Sequence, residues 1–353
     1  MKKVLLLGSG QSHVDLLSTL AATPLIDTQL TLIAPYPLHL YSGMVPGFVA
    51  GQHALEACLI GLEPLLKQSG VRWHTGSAVA LDMESGTVRL GDGSAFEFDW
   101  LSIDAGVVQD RHHIESTLPG AREHGLFVRP LEAFCALWPK MVEMAANRPL
   151  RIAVLGGGVT AIELALAIRQ RLAESSVTLV ADQHTFGSGL PAGAQPWVLS
   201  ALRRHQITLL SDTATTVEAQ QVLLASGARL ACDAPVIALG EQAPAWLGHS
   251  GLALNPQGRI ATDGFGRSTS HAHVFASSEI TSRAQPALTA NLLAALAGLP
   301  QTRPSSQPNT LHFLSYGDRR ARVSWRGLSA TGHWVWWLRN WLERRHLQRY
   351  SRD

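Results

Sequence analysis

The chain has 353 residues, 46% of them hydrophobic and 16% charged, with a formal net charge of +2. That balance supports a large core, excludes global disorder and allows two or three units of ordinary size. No apolar run is long and uncharged enough to cross a bilayer, and Cys58, Cys135 and Cys232 are too scattered for a Cys-x-x-Cys redox or zinc motif.

Residues Lys2 to Gly8 read as a strand that enters a Gly-x-Gly turn at Gly8 and Gly10, then a helix from His13 to Ala22. Gly8 permits the tight turn, Gly10 lets backbone approach a pyrophosphate, and the helix N-terminus faces the anion. His13 stands where the third glycine of that pattern would be and reads as a packing residue at the helix start. The second strand, Thr28 to Ile33, ends at Ala34-Pro35, where a ribose-binding acid would be expected. Tyr41 to Gly47 reads as a loop, Val71 to His74 as a short strand, and Thr87 to Asp99 as a hairpin around Gly91-Asp92-Gly93. Trp100 to Asp104 closes this half at Ala105-Gly106.

The same order then repeats. Leu150 to Leu155 is a strand, Gly156, Gly158 and Ala161 satisfy G-x-G-x-x-G/A, and Val177 to Val180 is the next strand, with Asp182 after it as a ribose acid. A second hairpin spans Val222 to Ala231, and Pro235 to Gly240 is a second closing strand. Gly8 and Gly156, Gly10 and Gly158, and Asp15 and Glu163 all match at an offset of 148. Two such turns one domain apart suggest two dinucleotides and electron transfer between them. Glu163 has two readings: a charge favourable at its helix N-terminus, or a polar group where nicotinamide meets flavin.

Beyond this, Ala272 to Ala276 reads as a buried strand, Pro286 to Leu296 as a helix, and Arg303 to Pro308 as a linker. From Leu311 onward nine arginines face three acids, a net charge of +6. Within that segment Trp334, Trp337, Leu338, Trp341 and Leu342 follow helical spacing, with Arg339, Arg344, Arg345 and Arg349 mostly off the stripe. Tryptophan on one face and arginine on the other suits a membrane interface; a contact with a second copy or with the protein's own core would use the same stripe. His112-His113 and His271-x-His273 lack partners at ligand spacing, so no metal is expected, and nothing indicates a nucleic-acid partner. The N-terminus carries no cleavable signal pattern, so the expected location is cytoplasmic, including the inner face of the cytoplasmic membrane.

These features together resemble the FAD-dependent pyridine nucleotide-disulfide oxidoreductase superfamily, within it the type II NADH dehydrogenase-like proteins, and more narrowly the flavoprotein module associated with selenophosphate synthetase. The residues that carry the likeness are Gly8-x-Gly10-x-Ser12-His13, Tyr41 to Gly47, Asp99-x-Leu101-Ser102-x-Asp104-x-Gly106, the second glycine motif with Glu163, Val236-x-Ala238-Leu239-Gly240 and the Gly317-Asp318 to Leu338 tail. The resemblance implies an α/β fold of two Rossmann-like domains: an FAD-binding domain at 1–112 and 245–308, an NAD(P)-binding domain at 113–244, and a C-terminal region at 309–353. It implies FAD at Gly8, Gly10, Ser12, His13, Tyr41, Ser42, Met44, Asp104, Ala105 and Gly106, and NAD(P)H at Gly156, Gly158, Ala161, Asp182 and Gly240. Glu163 is then the candidate for catalysis, and hydride would pass from NAD(P)H to flavin and electrons onward to a small-molecule acceptor such as a quinone. The usual Ala-x-Gly-Asp flavin segment reads Ala276-Ser277-Ser278-Glu279 here, and the stretch after it is short. Those departures keep a second expectation open: a non-catalytic nucleotide- or partner-binding protein of the same fold.

Overall fold

The computed structural model describes the chain apart from residues 192, 278–279, 282–287, 303–311, 326–327 and 351–353. The strands that build its two main sheets, in chain order, are Lys2–Leu7 (β1), Thr28–Ala34 (β2), Arg72–Thr75 (β3), Trp100–Ile103 (β4), Leu126–Phe127 (β5), Arg151–Leu155 (β6), Ser176–Val180 (β7), Thr208–Leu210 (β8), Ala234–Ile237 (β9) and Val274–Ala276 (β10). The first sheet has the order β10-β4-β1-β2-β3 and the second β5-β9-β6-β7-β8, with every neighbouring pair parallel. Four strands of each sheet repeat one order, while the remaining edge strand comes last in chain order in the first sheet and first in the second. Continuous apolar strands such as Val4-Leu5-Leu6-Leu7, all buried, are what a parallel sheet covered on both faces requires.

Each half also carries a three-stranded antiparallel sheet, at Ala78–Asp82, Thr87–Leu90 and Ala95–Glu97 and at Ala214–Glu218, Gln221–Leu224 and Arg229–Ala231. The sequence shows only the second and third strands of each. The strand leading in carries a bulge against its neighbour, so its pattern is less regular. The chain passes between the halves twice, at Val108–Gln109 and Glu241–Gln242, and these segments pair antiparallel. Buried Gln109 fixes the crossing: its amide donates to the carbonyls of Ile237 and Leu239, and its Oε1 accepts from Arg129 N at 2.7 Å.

Helices Gln11–Ala22 (α1) and Val159–Arg171 (α3) follow the two glycine turns, with Val45–Val49 (α2) between them in the chain. The expected loop at Tyr41 to Gly47 is instead a 3₁₀ turn, Ser42–Met44, running into α2 with Pro46 in its first turn. Proline at that position sacrifices an amide that a helix start leaves free anyway. Beyond β10 come Leu288–Leu296 (α4), an antiparallel sheet of His312–Ser315 (β11), Ala321–Trp325 (β12) and Leu328–Gly332 (β13), and His333–Leu347 (α5). The expected linker at 303–308 and Glu279 lie outside the described residues. One apolar cluster joins α1, α2, α3 and the C-terminal Leu314, Leu347 and Tyr350, so the last segment closes a core shared by both halves.

Candidate functional site: two glycine turns and the C-terminal helix across them

The first turn is held by contacts from its own half. Gly8 has φ +90°, and a Cβ there would stand 2.5 Å from the Asp104 carbonyl oxygen. A Cβ on Gly10 would fall on the Asp104 carboxylate, which accepts from the Ser12 backbone N–H at 2.7 Å. Asp104 therefore caps α1 from the end of β4. Its other oxygen, Oδ1, is buried without a hydrogen-bond partner among the described residues. Ser12 is tied further: its hydroxyl donates to Ser277 and its carbonyl accepts from Thr289.

His13 lies beneath this turn, fully buried. Its Nδ1 stands 2.6 Å from the Gly8 carbonyl and must donate to it, which leaves Nε2, 2.8 Å from the Ser102 hydroxyl, to accept. Burial holds the imidazole below its ordinary pKa and neutral, against the opposing pull of Asp104. The ring is packed beneath the turn with both of its nitrogens engaged. The same geometry links two motifs distant in sequence, since Ser102 and Asp104 of β4 serve His13 and Ser12.

The second turn is built differently. Gly156 has φ +140°, and a side chain there would meet the Ala238 carbonyl. A Cβ on Gly157 would collide with backbone of Thr185 and Phe186, because the loop after β7 folds over the turn with Gly187 N donating to Gly157 O at 2.8 Å. Gly158 has more room: a Cβ there would be in ordinary contact with Ser188 Oγ at 3.5 Å, and it caps α3 with no side-chain bond. Ala161 is buried against the sheet, as the small third position of the pattern requires. The Asp182 carboxylate accepts from the backbone N–H groups of His184 and Thr185 and from the Thr185 hydroxyl, which hold its pKa below the usual range. Gly240, left-handed at φ +71°, packs on Ile114.

Against α3 and the segment at Gly43 lies a buried ionic cluster. Glu163, on α3, accepts from Ser315 N at 2.8 Å and pairs with Arg339 Nη1 at 3.2 Å. Arg339 also bonds Glu343 at 2.8 Å and the Gly43 carbonyl at 2.7 Å. Burial alone would lower the Arg339 pKa, but its two carboxylates outweigh that and raise it, while burial pushes Glu343 up against the pull of Arg339. Trp336 donates to Gln52, which donates to Gly317 O. Tyr41 borders the same place, its ring 5.4 Å from that of His346. Met44 is buried there and Ser42 exposed. A cavity of about 10 Å³, room for one water, remains among Gly43, Gln52, Ser315 and Arg339.

Arg339 is the buried anchor of α5, a role that the tryptophan spacing does not foretell. The helix turns Val335, Arg339 and Leu347 inward and leaves Trp334, Trp337 and Trp341 at 57%, 62% and 43% exposure. The signal was present in the Arg339–Glu343 i, i+4 pair, which the tryptophan stripe masked.

Fit to dinucleotides differs between the turns. The second leaves α3's N-terminus uncapped by side chains and backbone-accessible at Gly158, as a pyrophosphate needs. The first, with Asp104 placed as it is, does not: a carboxylate already holds the donor a pyrophosphate would use. Among the described residues no group of three metal-capable side chains occurs, and no helix is long and apolar enough to cross a membrane.

Comparison with known proteins places these features. The profile described as "Pyridine nucleotide-disulphide oxidoreductase" matches residues 2–295. A NADH dehydrogenase-like protein of Mycobacterium tuberculosis is 26% identical over 241 residues, 64% of this chain and 59% of that protein. The chain thus spans about three fifths of that relative's length. A demethylphylloquinone reductase of Synechocystis is 34% identical over 116 residues, 31% of this chain and 28% of that protein. Among solved structures, the sulfide:quinone oxidoreductase of Aquifex aeolicus superposes with a TM-score of 0.78 at 17% identity, covering 99% of this chain and 91% of that one. This last likeness is one of fold, two dinucleotide-binding domains.

Proposed function

The chain belongs to the pyridine nucleotide-disulphide oxidoreductase family, and from that premise we propose that it is an NAD(P)H:acceptor oxidoreductase with a quinone as acceptor. FAD and NAD(P)H are the cofactors of this family; bound flavin supplies a two-electron relay between nicotinamide and acceptor. The observation that carries the reading is the second turn, where Gly156, Gly158 and Ala161 leave α3's N-terminus free for a dinucleotide pyrophosphate. Asp182, which follows β7, and Gly240, which follows β9, are assigned to the nicotinamide cofactor. Gly8, Gly10, Ser12, Tyr41, Ser42, Met44, Ala105 and Gly106 are assigned to the flavin side, with His13 packed beneath the turn and Asp104 standing on the amide that a diphosphate would use. Glu163, spent on Ser315 and Arg339, acts as a positioning residue. Domain limits at 112/113 and 244/245 belong to this reading; both lie close to the paired crossing segments, the first within the opening turn of the helix Arg111–Thr117.

Thiol chemistry has no support here. All three cysteines are buried and free, and burial pushes the Cys58 and Cys135 thiols up to about 12. A thiolate relay needs an accessible, acidified thiol. A quinone acceptor is favoured by the named activity of the Synechocystis relative. The exposed tryptophans of α5, with Arg344 and Arg345 exposed beside them, favour attachment to an anionic membrane surface, where a quinone would be met. A homodimer contact through the same face is the alternative partner. The likeness to the module associated with selenophosphate synthetase stays part of this reading on its sequence motifs alone.

A second reading, a nucleotide- or partner-binding protein without turnover, is favoured by the Asp104 cap on the first turn. One experiment separates the two. Purified protein reconstituted with FAD should be yellow and bleach anaerobically on adding NADH or NADPH. A preparation that stays colourless and takes up no FAD would sink the enzyme reading.

A further inference from the structure

The Asp104 carboxylate is in an unusual position. It is 2% exposed, yet only one of its oxygens is satisfied, by Ser12 N–H at 2.7 Å; Oδ1 has no partner among the described residues. A buried carboxylate oxygen without a donor is costly, so such groups are held in place by something else. Here the holder is the start of α1, whose first-turn amides and positive dipole end favour an anion. Gly10 has no room for even a Cβ beside this carboxylate, so the glycine that should admit a pyrophosphate admits the chain's own acid.

We infer that Asp104 is a displaceable stand-in for a dinucleotide diphosphate: it caps α1 when flavin is absent, must leave when FAD binds, and thereby weakens FAD binding. This rests on the FAD-linked reading above and adds a determinant of affinity to it. The half-satisfied state of the carboxylate is what makes displacement feasible, since leaving breaks one hydrogen bond rather than two. Its charge is what opposes FAD, because the incoming diphosphate needs the same amide and carries the same sign. The second turn has no such group at Gly158, so the device belongs to the flavin side alone.

Two neutral variants test this, Asp104→Asn, which keeps an oxygen able to cap Ser12, and Asp104→Ser, which is shorter. Flavin-free protein is titrated with FAD and separately with riboflavin, which lacks the diphosphate, by quenching of flavin fluorescence. Near-ultraviolet circular dichroism first checks that each variant is folded. The expected result is an FAD Kd at least about tenfold lower in a folded variant, with riboflavin affinity changed less than about twofold. A further arm needs no variant: in the natural chain FAD should bind no more than about a hundredfold more tightly than riboflavin. An unchanged or raised FAD Kd in the variants, or a larger preference in the natural chain, overturns the inference while leaving the proposed function standing. A chain that takes up no flavin in any form overturns both.

Discussion

His13 shows how one side chain can replace a glycine and be satisfied. A generic dinucleotide turn has no use for an imidazole under it, but Gly8 O and Ser102 Oγ give both ring nitrogens a partner. Replacing His13 with Ala removes the packing and leaves those two groups unpaired. It should cost about 2–4 kcal/mol in urea unfolding; a loss under 1 kcal/mol would mean that the site collapses around the gap. The pH dependence has a definite sign. His13, His39, His53, His205, His273 and His346 are all held below the ordinary value, each chiefly by burial. The native state therefore binds fewer protons than the unfolded chain, and their contribution, full above about 6.5, is lost as pH falls below it. A melting temperature that is flat or rising from pH 7.5 to pH 5 would contradict this. The buried cysteines yield a parallel expectation: the native protein should resist a thiol reagent at pH 8 and label three thiols when unfolded. Rapid labelling of any one would reopen the relay chemistry set aside above.

At the level of elements, α5 is the part whose sequence misleads most. Its tryptophans have the spacing of a buried stripe, yet the inward face is Val335, Arg339 and Leu347. An arginine among apolar contacts is tolerable because Glu163, Glu343 and the Gly43 carbonyl meet its guanidinium. Arg339→Ala would strand two carboxylates and should cost about 3–5 kcal/mol. The loss should be greater at pH 8 than at pH 5, because protonation relieves a stranded acid. A loss that does not depend on pH would indicate packing alone. The outward face can be tested without disturbing the inward one. Changing Trp337 and Trp341 together to Gln should leave the melting temperature within a few degrees while abolishing co-sedimentation with vesicles containing anionic lipid. If the double variant sediments as the natural chain does, the membrane assignment fails and a contact between copies becomes the reading to pursue.

Across the whole molecule, the duplicated acids share one fate. Asp15 and Glu163 match between the halves, and each receives a partner from the C-terminal segment: Tyr350 donates to Asp15, and Arg339 pairs with Glu163. The C-terminal segment thus reaches both α1 and α3, and it packs through Leu347 and Tyr350 into the core that the halves share. Deleting everything after Gly332 should therefore lower the stability of both halves together, read as a single melting transition shifted down. Two separate transitions, one unchanged, would mean that α5 braces only one of them. The sequence by itself determined the parallel strands, the paired glycine turns and the two-domain fold, because these follow from hydrophobic period and from backbone shapes that only glycine adopts. Tertiary structure alone decided that Asp104 occupies the first turn, that Ser102 satisfies His13, and that Arg339 turns inward while the tryptophans turn out. Those outcomes depend on which distant groups meet a given charge or donor, and periodicity along a chain carries no record of partners 92 or 176 residues away. The duplication therefore establishes two sites of one design, and the contacts across the fold make them unequal.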